Sequence, residues 1–334
     1  MFKIVIKYIA EFLHKAIDFS KAKILSAKDY VKHLFCAASH HTYIETVSNK
    51  ADSLHRRISL SYEEDVKEAF KKIIKKLVVY KRYGKVTLAI DFTKEQFYGK
   101  TNNFYIYHCG DDAKSKAEFH YLVISIVDSH ASIPLLALPV PLGCDRSGLV
   151  KELLEFAQGS LRIKLVLLDR EFVSADIMKT MENMKLKYLV FAKKYAHIKK
   201  FLKEVQDSGR KEHEMKYAKD KSTHRVKTHV VVVKAQTEED YDWCFYTNLH
   251  LDNARYYISL YKKRWQIETN FRVEDEARIK SKSVHYLVRY FYFMISLLLH
   301  ALWLIFSDGS FMRFLISEYE EMLVKEILVR NHSS

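Results

Sequence analysis

Glycine and proline are scarce in this chain of 334 residues, which contains 8 glycines and 3 prolines. No Gly-x-Gly-x-x-Gly motif can be assembled from the glycines, so a Rossmann dinucleotide-binding loop is absent. The nearest approach to a P-loop spaces Gly143 and Gly148 correctly, but Leu149 follows where that loop requires lysine. The sequence therefore argues against nucleotide hydrolysis on either type of phosphate-binding loop.

Cysteine is also rare, with four residues that lie far apart: Cys36, Cys109, Cys144 and Cys244. They form no Cys-x-x-Cys pair, so the sequence indicates neither a zinc knuckle nor a disulfide framework. We therefore expect a protein of the reducing cytoplasm.

One segment has the apolar density of a membrane span. It runs from Val284 to Phe306, but it contains His285, Arg289 and His300 and has no flanking charge asymmetry that would set an orientation. Large α/β domains also bury helices that are apolar nearly all round. We expect a buried core helix and no membrane association.

Positive charge is abundant, since 55 Lys and Arg residues against 41 Asp and Glu give a net charge of +14. This balance favours a polyanionic partner, either nucleic acid or an anionic membrane surface. Residues 193–234 carry more than half of the excess, with a net charge of +8. We expect this segment to project from the core as a DNA-facing module.

The apolar periodicity changes once along the chain. Up to about Tyr83 it is helical, and the lysines of the last helix form either a solvated face or a DNA-facing stripe. From Val86 short β-branched and aromatic runs predict strands at 86–90, 119–127 and 133–140, then helix, strand, helix and strand at 147–157, 163–168, 174–184 and 188–192. A hairpin at 228–249 and a long helix from Asn253 follow.

This order of elements is that of the ribonuclease H-like fold. We therefore predict an α/β protein with a ribonuclease H-like mixed sheet flanked by helices. The expected domains are a helical N-terminal DNA-binding domain at 1–83, the first part of the core at 84–192, a basic β-rich insertion at 193–250, and the C-terminal core helices at 251–334.

Two aspartates end predicted strands, Asp91 after the first and Asp169 after the fourth. If these strands are neighbours, both side chains emerge at the same region of the sheet, where open sheets bind ligands. Two Mg²⁺ ions about 3.5–4 Å apart need such oxygen ligands for phosphodiester chemistry. A single aspartate after a strand is otherwise a common turn or helix cap.

A third acid follows on the long helix. Tyr261, Arg264, Glu268 and Arg272 are spaced to share one helical face. In isolation, Arg264 and Glu268 would be an ordinary surface salt bridge. Together with the two aspartates, Glu268 completes a set of three acids.

The spacing of Tyr261, Arg264 and Glu268 resembles the Tyr-x2-Arg-x3-Glu-x6-Lys signature of DDE transposases from bacterial and archaeal insertion sequences. The segment Leu-Leu-Asp-Arg-Glu-Phe at 167–172 resembles the surroundings of that family's second aspartate. The resemblance covers the chain from about Val86 onward. It departs at one position, because Asp275 stands where the signature has lysine.

The resemblance implies roles for these residues. Asp91, Asp169 and Glu268 would be the catalytic acids and would bind two Mg²⁺ ions, for which Mn²⁺ would substitute. Tyr261 and Arg264 would hold phosphates, and Arg278 or Lys280 would replace the missing lysine. The further DNA-binding residues that we predict are Arg272, Lys280, Lys193, Lys194, Lys199 and Lys200.

The predicted function is transposition: metal-dependent cleavage at the terminal inverted repeats, then transfer of the freed 3′ end into target double-stranded DNA. We expect a homodimer on paired ends, associated with the nucleoid of a prokaryotic cytoplasm. Two alternatives stay open, a ribonuclease H-like nuclease or resolvase without strand transfer, and a catalytically inactive DNA-binding protein derived from a transposase.

Overall fold

The structure is a computed structural model that describes residues 2–19, 27–99, 103–110, 115, 117–128, 133–216, 225–237, 241–276 and 278–331. The described part of the N-terminal region is helical, as predicted. Its helices are α1 (Phe2–Ala16), α2 (Ala27–Ser39), α3 (Ile44–Val47), α4 (Ala51–Ser59) and α5 (Glu63–Lys81).

The strands of the described residues form one mixed sheet. They are β1 (Lys85–Phe97), β2 (Ile106–His108), β3 (Ala117–Ile126), β4 (Pro134–Pro139), β5 (Arg162–Leu168), β6 (Tyr188–Phe191), β7 (Ser208–Lys216), β8 (Arg225–Val233) and β9 (Trp243–Thr247). Their order is β2-β3-β1-β5-β6-β9-β8-β7, and β4 pairs with β3. The β1–β5 and β5–β6 pairs are parallel and the others antiparallel. The predicted fold class is confirmed.

Helices cover both faces of this sheet. The helices that follow β4 along the chain are α6 (Arg146–Gln158), a one-turn 3-10 helix (Arg170–Phe172), α7 (Ala175–Asn183), α8 (Ala196–Glu204), α9 (Arg255–Lys262), α10 (Trp265–Glu276), α11 (Tyr286–Phe306) and α12 (Phe311–Asn331). Alternation along β5 separates the faces, since Val166 and Leu168 pack in the cluster that includes α6 and α7. Leu165 and Leu167 pack in the cluster that includes α9 and α10.

Helix α11 is the apolar segment that is long enough to span a membrane. Its most apolar window is 83% buried inside the protein. It packs against α4, α5 and β4, which is the core position that we predicted.

The basic insertion does not project as a separate module, and this prediction is wrong for its strands. Strand β9 pairs with β6, and β8 pairs with β9, so the segment continues the same sheet. The reason is the apolar run of β8: Val230 and Val232 are buried on one face of the sheet, and Val231 and Val233 on the other. Strand β7, at the edge of the sheet, is solvent-facing along much of its length.

The N-terminal helices share a hydrophobic core with the sheet. Helix α1 packs against α2, α5 and α11, and α2 packs against α12. Their apolar side chains belong to the cluster that contains α11 and one face of the sheet. The division of the chain into domains stays a prediction, and in packing terms the first helices belong to the main body.

Candidate active site

Asp91 and Asp169 lie side by side at the point where two parallel strands separate. The parallel pairing of β1 with β5 ends at Ile90 opposite Leu168, and each aspartate is the next residue. Asp91 does not end its strand as predicted. Strand β1 continues to Phe97 because it keeps pairing with β3 on its other side.

Each aspartate side chain accepts a hydrogen bond from the backbone N–H of the residue that follows it. Asp91 Oδ1 accepts a hydrogen bond from the Phe92 N–H at 2.9 Å, and Asp169 Oδ1 accepts one from the Arg170 N–H at 2.6 Å. The Phe92 ring stacks on the buried Phe172 ring, with centroids 4.9 Å apart. These contacts hold the two chain segments that carry the acids against each other.

The helix that carries the third acid is interrupted. We predicted one helix from Asn253, but α9 ends at Lys262 and α10 begins at Trp265. The Arg264 N–H donates to the Tyr261 carbonyl at 2.9 Å, so a tighter turn of the 3-10 type joins the two helices. This turn keeps Tyr261, Arg264 and Glu268 on one face, as the spacing predicts.

Arg264 ties the three acids together. Its Nη1 lies 2.5 Å from Asp91 Oδ2, and its Nη2 lies 2.5 Å from Glu268 Oε1. Its Nε donates to the Tyr261 hydroxyl at 2.9 Å, and that hydroxyl lies 3.5 Å from Asp169 Oδ1. Two acids thus meet one guanidinium, and the third meets the tyrosine bound to it.

Burial sets the electrostatics of this cluster. It raises the pKa of Asp91 to about 6, a shift that Arg264 opposes and that the nearby Asp169 and Glu268 carboxylates increase. Burial also raises the pKa of Tyr261 well above its usual range, so its hydroxyl keeps its proton and donates. Arg264 is 6% exposed and is the cation that balances these carboxylates.

The donor set fits a divalent cation in its chemistry. Carboxylate oxygens are the ligands that Mg²⁺ prefers, and the cluster already surrounds a positive group. Within the described part of the chain, however, no three acidic, histidine or cysteine side chains are grouped to hold one ion together. In this arrangement the Arg264 guanidinium meets the carboxylates of Asp91 and Glu268.

The acid that departs from the signature is paired with a cation just beyond the end of α10. Asp275 forms an ion pair with Arg278 at 2.7 Å. Arg278 also pairs with the fully buried Glu274 at 3.1 Å and donates to the Lys94 carbonyl of β1 at 3.3 Å. Arg278 is 7% exposed, so it is not available to replace the signature lysine as a surface phosphate contact.

A second ionic tie fixes β1 close to this point, and the sequence analysis missed it. Glu95 accepts from Arg289 of α11 at 2.6 Å and from the Tyr121 hydroxyl at 2.9 Å. Glu95 is four residues beyond Asp91 on the same strand. Glu95 and Arg289 are 194 residues apart, so no local spacing in the sequence could have indicated that they pair.

Aromatic rings line one side of the cluster. Trp265 is 44% exposed, and its ring lies 6.4 Å from Trp243, which in turn lies 6.1 Å from Tyr261. Tyr241, 4.5 Å from Trp243, is also exposed. A cavity of about 320 Å³ opens beside Trp243 and Tyr241 and is bordered by Arg255 and by Lys262.

Among the described residues, none of the predicted lysines of the insertion forms an ion pair with the three carboxylates. Lys193, Lys199 and Lys200 are exposed, and Lys194 pairs with Asp242 at 2.8 Å. On α10, Arg272 is exposed and its Nη2 lies 3.5 Å from Thr269 Oγ1.

Lys280 is held against the N-terminal helices rather than at the cluster. Its carbonyl accepts from the Ile44 N–H at 3.0 Å, in an isolated bridge with Tyr43.

Part of the α5 lysine face is neutralised by acids of the same chain. Lys67 pairs with Glu64 at 2.6 Å and with Glu152 at 3.2 Å, and Lys71 pairs with Glu68 at 3.0 Å. These contacts favour the solvated face over a DNA-facing stripe for this half of α5.

The comparisons with known proteins agree with this geometry. Residues 82–304 match the family model of the transposase DDE domain, and the chain belongs to that family. No curated protein matches the chain. Among solved structures, the piggyBac transposase synaptic complex with hairpin DNA is similar with a TM-score of 0.61 and 13% identity, over 95% of this chain and 77% of that one. At this identity the likeness establishes the fold.

Proposed function

We propose that this chain cuts DNA at transposon ends and joins the freed 3′-hydroxyl to target DNA, as a member of the insertion-sequence group with the Tyr-x2-Arg-x3-Glu signature. The observation that carries the proposal is the meeting of Asp91, Asp169 and Glu268 around Arg264 and Tyr261. The acids come from β1, the end of β5 and α10, and they meet where the parallel strands separate.

In this proposal Asp91, Asp169 and Glu268 would hold two Mg²⁺ ions, for which Mn²⁺ would substitute. When bound, such ions supply activation of the attacking oxygen and stabilisation of the leaving oxygen in phosphodiester chemistry. The chain itself supplies rigid placement, since Phe92 and Phe172 fix the aspartates and Arg278 fixes α10 against β1.

Exposed cations would follow the DNA backbone. Arg272 lies on the same helix as Glu268, and Lys193, Lys199 and Lys200 lie on or before α8 of the basic segment. The similar solved structure is a synaptic complex with hairpin DNA, which favours paired ends and a homodimer here as well. The expected setting is a prokaryotic cytoplasm.

The test is a cleavage and strand-transfer assay with the inverted repeats that flank the gene, with and without Mg²⁺. Asp169→Ala and Glu268→Ala should each abolish cleavage and leave DNA binding nearly intact, and the exposed Asp252→Ala serves as the control. Cleavage that survives either substitution would contradict the proposed site. Cleavage without joining would instead indicate a nuclease or resolvase.

A catalytically inactive DNA-binding protein is the second candidate. The observation that favours it is the guanidinium between Asp91 and Glu268, together with Asp275 in place of lysine. Such a protein would bind the ends tightly and would not cut them, whichever divalent ion is added. It would bind equally well after loss of all three acids.

A further inference from the structure

Arg264 lies where a divalent ion would have to bind. Its guanidinium is within 2.5 Å of one oxygen of Asp91 and one of Glu268. A cation that binds these two carboxylates together must compete with the guanidinium for the same oxygens. Among the described residues, no three acidic, histidine or cysteine side chains are grouped to hold one ion, which agrees with this occupancy.

All three nitrogens of the same guanidinium are engaged with protein groups, and the side chain is buried. Each of its three nitrogens already donates, to Asp91, to Glu268 and to the Tyr261 hydroxyl. The residue is 6% exposed, so a phosphate of DNA cannot reach it in this arrangement. An arginine binds phosphate well through two parallel N–H groups, and these are the groups that hold the acids here.

The two sets of contacts are therefore mutually exclusive. Arg264 can neutralise the carboxylates, or it can bind a phosphate and leave the carboxylates without their cation. Three carboxylates without a cation at a half-buried site are costly, because burial disfavours their charge. Divalent ions would remove that cost.

We propose that Arg264 is a positioning residue that exchanges partners, holding the acids in the DNA-free protein and moving to a DNA phosphate when divalent ions take its place. This inference rests on the proposed function. It has a thermodynamic consequence: DNA and the divalent ion should each raise the affinity for the other, by the same factor.

The first test measures Mg²⁺ binding to the DNA-free protein by calorimetry and by thermal shift. Arg264→Met removes the competing cation and should tighten Mg²⁺ binding at least tenfold, because like charges this close repel strongly. Arg162→Met removes the same charge from an exposed position at the start of β5 and should leave Mg²⁺ binding nearly unchanged.

The second test measures binding of an inverted-repeat duplex by fluorescence anisotropy, with and without Ca²⁺ at constant ionic strength. Ca²⁺ is a hard cation that takes the same oxygen ligands. The unmodified protein and Arg162→Met should bind the duplex more tightly with Ca²⁺, and Arg264→Met should show no such gain. Arg264→Lys keeps the charge but lacks the planar fork of N–H groups that binds a phosphate at two points, so it should show a smaller gain and serves if the Met variant does not fold.

The outcomes separate this inference from the function. Equal Mg²⁺ affinity in the unmodified protein and in Arg264→Met would overturn the exchange, while Mg²⁺-dependent cleavage would leave the function standing. Loss of Mg²⁺ binding and of cleavage in every form of the protein would overturn both.

Discussion

Replacing Asp91 by asparagine should stabilise this fold near neutral pH. The Asp91 side chain is 14% exposed, and burial raises its pKa from an ordinary value of 3.8 to about 6. A carboxyl group whose pKa is higher in the folded state binds its proton more tightly there than in the unfolded chain. Its protonated form therefore contributes stability that is present below pH 3.8 and is lost as the pH rises through 6.

The size of the effect follows from the shift. About two pKa units at 1.36 kcal/mol each correspond to roughly 3 kcal/mol of unfolding free energy lost between pH 4 and pH 7. Asparagine imitates the protonated form and does not titrate. The free-energy difference between Asp91→Asn and the unmodified protein should therefore grow by about 3 kcal/mol in favour of the variant over that range.

Urea denaturation at several pH values measures this difference directly, and other titrating groups cancel because both proteins share them. Asp252→Asn makes the same substitution at an exposed position and serves as the control. Addition of Mg²⁺ at neutral pH should restore stability to the unmodified protein more than to Asp91→Asn, since a ligand that binds the native state stabilises it. A difference for Asp91→Asn that stays constant from pH 4 to pH 7 would refute the reasoning.

Three further outcomes are expected. Neutralising Lys199 and Lys200 together should weaken DNA affinity and flatten its salt dependence, by a slope of about 0.9 for each lost phosphate contact; an unchanged slope would exclude these lysines from the interface. Asp275→Lys loses an ion pair with Arg278, so it should lower the free energy of unfolding by about 0.5–1 kcal/mol in urea denaturation and give no gain in end cleavage. A large gain in cleavage would indicate that Asp275 is a mutation that weakens binding of the transposon ends. His300 is fully buried, and burial lowers its pKa to about 3. Between pH 7 and pH 5 the free energy of unfolding of the unmodified protein should therefore fall by about 2 kcal/mol relative to that of His300→Leu. Parallel curves of unfolding free energy against pH for the two proteins would contradict this.

Much of the sheet could be predicted because its strands are apolar on both faces. The runs at β1, β3, β5 and β6 have few polar interruptions, and each is buried where the pattern indicated. Strand β2 has three residues and no apolar run, and β7 is exposed along most of its length. Strand β7 forms only because β8 offers it a partner along nine residue pairs, which local sequence does not reveal.

The composition of the candidate site could be predicted, but its arrangement could not. The spacing of Tyr261, Arg264 and Glu268 shows which side chains share a helical face, and not what that face meets. Whether Arg264 turns to phosphate or to Asp91 depends on the distance between α10 and β1, which is a property of the folded chain. For the same reason the break between α9 and α10 was missed, since Arg264 interrupts the helix without glycine or proline.

The acid at position 275 is coupled to the buried pair beside it. Arg278 is buried against Glu274, and Asp275 gives its guanidinium a second carboxylate at 2.7 Å. The signature lysine at this position would lose that contact and place a second cation next to Arg278. The phosphate contact assigned to that lysine must then come from elsewhere. The exposed Arg272, one turn from Glu268, is the cation on α10 best placed to supply it.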